Sequence, residues 1–162
     1  MLRDPNLPER PVQFHDFPDE LHDFSGRLVR RNPVGRSSPG CSCLVLMPNT
    51  KGFDRLEVCQ KEGFGADEII LMISSSEKHN LLNFRMTHEE AMAEHAAIMK
   101  RAHALGIRII GCAGTVYGCP VRGDLTTSEV AKIVKFYVDE GAQTIMLGDT
   151  TGVANPVLVR ER

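Results

Sequence analysis

The chain has 162 residues, with 19 Lys+Arg against 21 Asp+Glu and 42% hydrophobic residues. This is the size and balance of one ordinary domain. A net charge of −2 leaves no surplus cation to release counterions from nucleic acid or to hold an anionic membrane. The longest apolar runs, about five residues as at 69–73, fall far short of the roughly 20 that cross a bilayer, so neither nucleic acid nor membrane is expected as a partner.

The first 43 residues hold six of the nine prolines (Pro5, Pro8, Pro11, Pro18, Pro33 and Pro39), no lysine and no sustained apolar period. They read as an irregular or disordered leader. Six acids in the first 25 residues (Asp4, Glu9, Asp16, Asp19, Glu20 and Asp23) and the lack of an apolar core segment argue against a secretory signal and an acid-poor transit peptide. A cytoplasmic protein is expected, with a regular domain over 44–162.

From Leu44 onward, short apolar runs at 44–47, 68–73, 107–112 and 143–147 predict strands. Their near-continuous apolar character suits a parallel sheet buried on both faces. Helix-period segments lie between them. Phe53, Leu56 and Cys59 predict an inward face over 52–62. Ala91, His95, Ile98, Ala102 and Leu105 do so over 88–105, and Val130, Ile133, Val134 and Tyr137 over 127–140. Thr87 with Glu90, and Thr126 with Glu129, have capping-box spacing, while Gly63, Gly106 and Gly141 stand where each helix should stop. This alternation defines an α/β fold, either an open doubly wound sheet or part of a (β/α)8 barrel. No phosphate-binding glycine fingerprint is present.

The five cysteines (Cys41, Cys43, Cys59, Cys112 and Cys119) match neither a redox pair nor a zinc knuckle. They read as reduced and mostly buried thiols. Polar and small residues cluster after each strand: Pro48-Asn49, Ser74-Ser75-Ser76-Glu77, Gly114-Thr115 and Gly148-Asp149-Thr150-Thr151-Gly152. In both candidate architectures, active sites sit at that edge.

The segment LGDTTGVANP (147–156) resembles a strand-six signature of the hydroxymethylglutaryl-CoA lyase family. Three further segments agree in order: MPNTKGFDR (47–55), SSSEKHNLLNFRMTHEEAM (74–92) and VYGCPVRGD (116–124). The resemblance implies a partial (β/α)8 TIM barrel, about four parallel strands with three to four helices. It also implies a retro-aldol (Claisen-type) carbon–carbon lyase acting on an acyl-CoA. That reaction needs a base for the tertiary hydroxyl, a cation to polarise its oxygen and donors for the enolate.

On this resemblance Asp149 is the catalytic-site carboxylate, with Thr150 beside it and Asn83 in the fourth loop as substrate-binding residues. Asn49 and Lys51 match pattern positions in the third turn, where a solvated lysine is the plainer reading. Cys112, Gly114 and Met146 occupy substrate-facing positions where the family pattern has tyrosine, serine and serine. Cys112 and Gly114, two apart on a strand, share a face, so the loss of hydroxyl groups there implies an altered acyl group.

The complete family enzyme carries a divalent cation, Mg or Mn, whose ligands come from a first-strand R-D-G, an H-x-H and a strand-eight asparagine. None has a counterpart here, so no complete metal site is expected in this chain. Arg3-Asp4 precedes a proline and no strand. Among the histidines, His88, His95 and His103 belong to a helix, and His79 lies in the fourth loop at the site edge. Four strands are half of an eightfold barrel. The expectation is therefore a truncated lyase, inactive alone, that associates with itself through open barrel edges. The alternative is a non-catalytic half-barrel that binds a partner chain or CoA; a related acyl-CoA condensing enzyme fits the GCP and GDTTGVANP combination less well.

Overall fold

A computed structural model describes residues 42–63 and 65–161. Nearly all of the predicted leader of residues 1–43, with Arg3, Asp4 and Cys41, lies outside the described residues. Four strands, β1 (Leu44–Leu46), β2 (Glu68–Ser74), β3 (Arg108–Gly114) and β4 (Thr144–Leu147), are connected through helices. These are α1 (Thr50–Lys61), α2 (Glu77–Phe84), α3 (His88–Ala104), α4 (Thr127–Asp139) and α5 (Pro156–Glu161).

All neighbouring strands are parallel, and their order in the sheet is β1-β2-β3-β4. A doubly wound sheet reverses its strand order at a switch point, whereas a barrel lays each strand beside the one before it. The unreversed order selects the barrel arrangement.

The two faces of the sheet differ. Ile69, Leu71, Ile73, Ile109 and Ala113 are fully buried with Phe53 of α1, Ile98, Met99 and Ala102 of α3, and Ile133 and Tyr137 of α4. Gly111 is on this face because a Cβ there would lie 2.8 Å from Tyr137 Cδ1, so α4 rests directly on the β3 backbone. Tyr137 in turn shares a 2.9 Å hydrogen bond with His95 Nδ1 of α3. Arg101 ties α3 to α1, bonding Asp54 and Glu57 with its guanidinium over the Phe53 ring.

Residues one step out of phase point the other way. In register, Leu46, Ile70, Ile110 and Thr144 form one row, and Met72, Cys112 and Met146 the next. Here Leu44 is 48% exposed, Leu46 57% and Met146 41%, while Ile70, Met72 and Ile110 are half-buried. The expectation of a sheet dry on both faces therefore holds fully for the helix side and in part for the other, where Cys112 is buried and Met72 and Thr150 flank Gly114.

Both capping boxes form, each satisfying two amides at a helix start. Gly106 and Gly141 follow α3 and α4 at φ of 68° and 83°, a conformation costly for other residues. Five helices are present among the described residues where three to four were expected. The segment expected as a fourth loop contains α2. Its N-cap is Ser76, and its C-cap is Arg85 in the left-handed region (φ 59°) rather than a glycine. Short α5 begins at Pro156, with Asn155 Oδ1 accepting from the Val157 and Leu158 amides.

Candidate active site

The C-terminal edge of the sheet is joined by polar contacts that run from strand to strand. Ser74 and Thr115, at the ends of β2 and β3, share a 2.8 Å hydroxyl–hydroxyl bond, and both are buried. The Thr115 amide donates to Thr150 Oγ1 across 3.0 Å. The Ser75 amide donates to Gly114 O, and that of Val116 to Gly148 O. One network thus fixes the turns after three strands.

Thr115 holds φ at 56°, outside the usual range for a β-branched residue. Such strain persists only where surrounding bonds over-determine the backbone. Here the residue's amide and hydroxyl are both bonded, one to Thr150 and one to Ser74.

Asn80 and His88 support the same edge from behind. Buried Asn80 accepts the Ser74 amide on Oδ1 (3.0 Å) and donates from Nδ2 to Met86 O (2.9 Å). His88 Nε2 donates to Ser74 O at 2.7 Å, and Glu77 accepts the His88 amide. These residues carry no acyl-CoA motif of their own. The signals that could have found them are a Ser-rich strand end followed by a capping serine, and polar residues on the inward side of their helices.

Asp149 is exposed at the β4 edge. Its Oδ1 accepts the Val153 amide and its Oδ2 the Ala154 amide, both at 3.1 Å. The carboxylate therefore shapes the loop 149–154, and Thr151 completes it by donating to Gly118 O. Cys112, Gly114 and Met146 share the open face of the sheet with Met72, whose Sδ lies 3.5 Å from the position a Gly114 Cβ would take. Burial raises the Cys112 thiol pKa. Asn83 is exposed on α2, while Asn80, three residues before it on the same helix, binds the strand end.

His79 lies on α2 rather than in a loop. Its Nδ1 and the Ser75 hydroxyl are buried without a hydrogen-bond partner. Cys119 is buried in the turn closed by its bridge to Gly123. Burial raises its thiol, but the Ser76 hydroxyl and the Val121 and Arg122 backbone outweigh that and hold its pKa below the ordinary value. Asn49 is the N-cap of α1, and Lys51 is exposed.

A divalent cation does not fit the side chains described. No group of three His, Cys, Asp or Glu among the described residues could hold one. Both Asp149 oxygens already serve backbone amides, and His88 and His95 are turned into the core.

A run of parallel β/α units in unreversed order, with a bonded polar rim at the carboxyl ends of its strands, is a segment of a β/α barrel. Residues 42–162 match the HMGL-like family model, and the chain belongs to that family. It is 32% identical to human mitochondrial hydroxymethylglutaryl-CoA lyase over 123 residues, which are 76% of this chain and 36% of that protein. The Arabidopsis thaliana enzyme is 35% identical over 72% of this chain and 24% of its own length. The chain thus spans about a third or less of these relatives.

Among solved structures, the Brucella melitensis HMG-CoA lyase superposes with a TM-score of 0.72 at 28% identity, covering 90% of this chain and 47% of that one. An Acinetobacter baumannii HMG-CoA lyase in complex with coenzyme A and 3-methylmalate gives 0.69 at 33% identity, covering 78% and 39%.

Proposed function

We propose that this chain is a hydroxymethylglutaryl-CoA lyase-like segment that carries part of an acyl-CoA site for the retro-aldol cleavage of a 3-hydroxy-3-methylacyl-CoA to acetyl-CoA and a keto acid. The observation that carries the reading is the bonded rim Ser74–Thr115–Thr150 at the strand ends, in a chain similar to a lyase solved with coenzyme A and 3-methylmalate. Ser75 Oγ and His79 Nδ1 have no protein partner, and buried polar atoms of this kind call for one. Asp149 remains the proposed site carboxylate, acting on the loop through its two amide bonds. Thr150 and Asn83 are the proposed polar contacts, and Cys112, Gly114 and Met146 the acyl-facing wall.

The divalent cation of the complete enzymes supplies charge stabilisation for a developing enolate. Since the described residues do not fit it, the expected behaviour of the chain alone is acyl-CoA binding without turnover. A cytoplasmic location and self-association through the edges of β1 and β4 that no described strand pairs belong to the same reading.

Calorimetry with coenzyme A and with hydroxymethylglutaryl-CoA is the test. Saturable binding that weakens in Asp149→Ala, without acetyl-CoA release, is expected. No saturable signal with either ligand at 1 mM, where binding energy is already down to about 4 kcal/mol, overturns the acyl-CoA reading.

A further inference from the structure

We propose that Asn80 and His88 take the place of a strand beside the end of β2 and are thereby positioning residues for the strand-end rim. What the rim binds rests on the acyl-CoA reading above; how the rim is held rests on the geometry alone. The argument starts from the direction of the Ser74 backbone. Ile70 O accepts the Met47 amide on the β1 side of β2, while Ser75, out of phase with Ile70, gives its amide to Gly114 O on the β3 side. Ser74 is in phase with Ile70, so its own amide and carbonyl both turn toward β1.

No strand receives them there. The pairing of β1 ends with Leu46 against Ile70, and carried onward that register would set Thr50 opposite Ser74. Pro48 has no amide for a ladder, and Thr50 already opens α1 with its amide and hydroxyl on Glu94. Ser74 is buried, where an unpaired peptide group is costly. Two side chains fill the gap. Asn80 Oδ1 accepts the Ser74 amide at 3.0 Å, and His88 Nε2 donates to the Ser74 carbonyl at 2.7 Å. Both are fixed in turn, Asn80 by donating from Nδ2 to Met86 O and His88 through its amide on Glu77.

The consequence reaches across the rim. Holding both backbone groups of Ser74 sets where its hydroxyl meets Thr115 Oγ1. That bond, with the one from the Thr115 amide to Thr150, keeps Thr115 at a φ of 56°, a conformation that a β-branched residue holds only while its partners insist on it. Thr150 adjoins Asp149. Residues of α2 and α3 thus set the aim of the loop after β4 through the ends of β2 and β3.

The test separates positioning from folding. In the wild type the bond to Ser74 O requires the proton of the His88 ring on Nε2, which imidazole nitrogen resonances report directly. His88→Phe keeps a ring and removes the donor, whereas His88→Gln keeps a donor of similar reach. Urea unfolding, the backbone resonances of Thr115 and Thr150, and calorimetry with coenzyme A are compared in the full chain. His88→Phe is expected to move the Thr115 resonances away from the left-handed pattern while the chain stays folded, and to weaken coenzyme A about tenfold, the size of one hydrogen bond. His88→Gln should restore both. A wild-type His88 protonated on Nδ1 alone overturns the proposal; so do unchanged Thr115 resonances in folded His88→Phe, and so does a loss that His88→Gln leaves in place. Should His88→Phe not fold, Asn80→Leu carries the same expectation and the wild-type tautomer still decides. If the wild type binds no coenzyme A, the acyl-CoA reading falls, and the tautomer and the Thr115 resonances still judge the positioning role.

Discussion

Thr115 gives its amide to the Oγ1 of Thr150, 35 positions away in sequence and 3.0 Å away in space. The bond joins the end of β3 to the loop after β4, and it holds Thr115 in the left-handed region. Thr150→Val keeps the shape of the side chain and removes the acceptor. The Thr115 amide then loses its partner, at a cost of about 1–3 kcal/mol. Urea unfolding of Thr150→Val against Thr150→Ser measures this. Equal loss in both variants would show that the hydroxyl acceptor is irrelevant.

Gly111 and Gly114 flank Cys112 and Ala113 on β3 but answer differently to a side chain. At Gly111 a Cβ meets the Tyr137 ring and Cβ below 3 Å, whereas at Gly114 its nearest neighbours are at 3.5–3.7 Å. Gly111→Ala should destabilise by at least about 1–3 kcal/mol, the range for overpacking. Gly114→Ser should fold with stability within about 0.5 kcal/mol of wild type. The same denaturation curves check both, and a Gly111→Ala protein as stable as wild type would mean that α4 does not rest on β3.

Burial holds His95 well below the ordinary histidine range, at about 4 against 6.5. Its proton is therefore bound more readily by the unfolded chain between those values. Stability from this group is fully present above pH 6.5, falls as pH drops through the window, and levels off below about 4. The difference of roughly 2.5 units corresponds to about 3 kcal/mol. Unfolding free energies at pH 7 and pH 4.5 should diverge in the wild type, and the divergence should shrink in His95→Gln.

Thr87 and Thr126 each accept an amide from the third helical residue while Glu90 and Glu129 reach back to the cap. Thr87→Ala and Thr126→Ala should each cost about 1 kcal/mol. The two sites sit on different helices, so the double mutant should be nearly additive; thermal melts followed by circular dichroism measure this.

These caps were legible in the sequence because the signal is local: a threonine, a glutamate three residues on, and an apolar period that stops at a glycine. The four strands were legible for a similar reason, their ends moving by only one or two residues. Helix α2 was not. Its stop is Arg85 in a left-handed conformation, and Asn80, which anchors it, looks like any loop asparagine until Ser74 and Met86 are brought to it. The site followed the same division. Family motifs pointed to Asp149 and Thr150 as candidates, but sequence carries no trace of which amides a carboxylate will accept. The strain at Thr115 depends on partners 41 residues before and 35 after it, a relation no window along the chain contains.

The unreversed strand order has a consequence for how the molecule comes into being. Each of β2, β3 and β4 pairs with the strand made just before it, so among the described strands none skips over another. Each pairing still waits for the helix between, with Leu44 and Glu68 24 positions apart, Glu68 and Arg108 40, and Ile110 and Thr144 34, and parallel pairing at such range is intrinsically slow. Each new β/α unit emerging from a ribosome meets a ready edge and can be zipped on in turn, from β1 toward β4. At every intermediate length the growing sheet presents one fresh edge, and such an edge templates further strands.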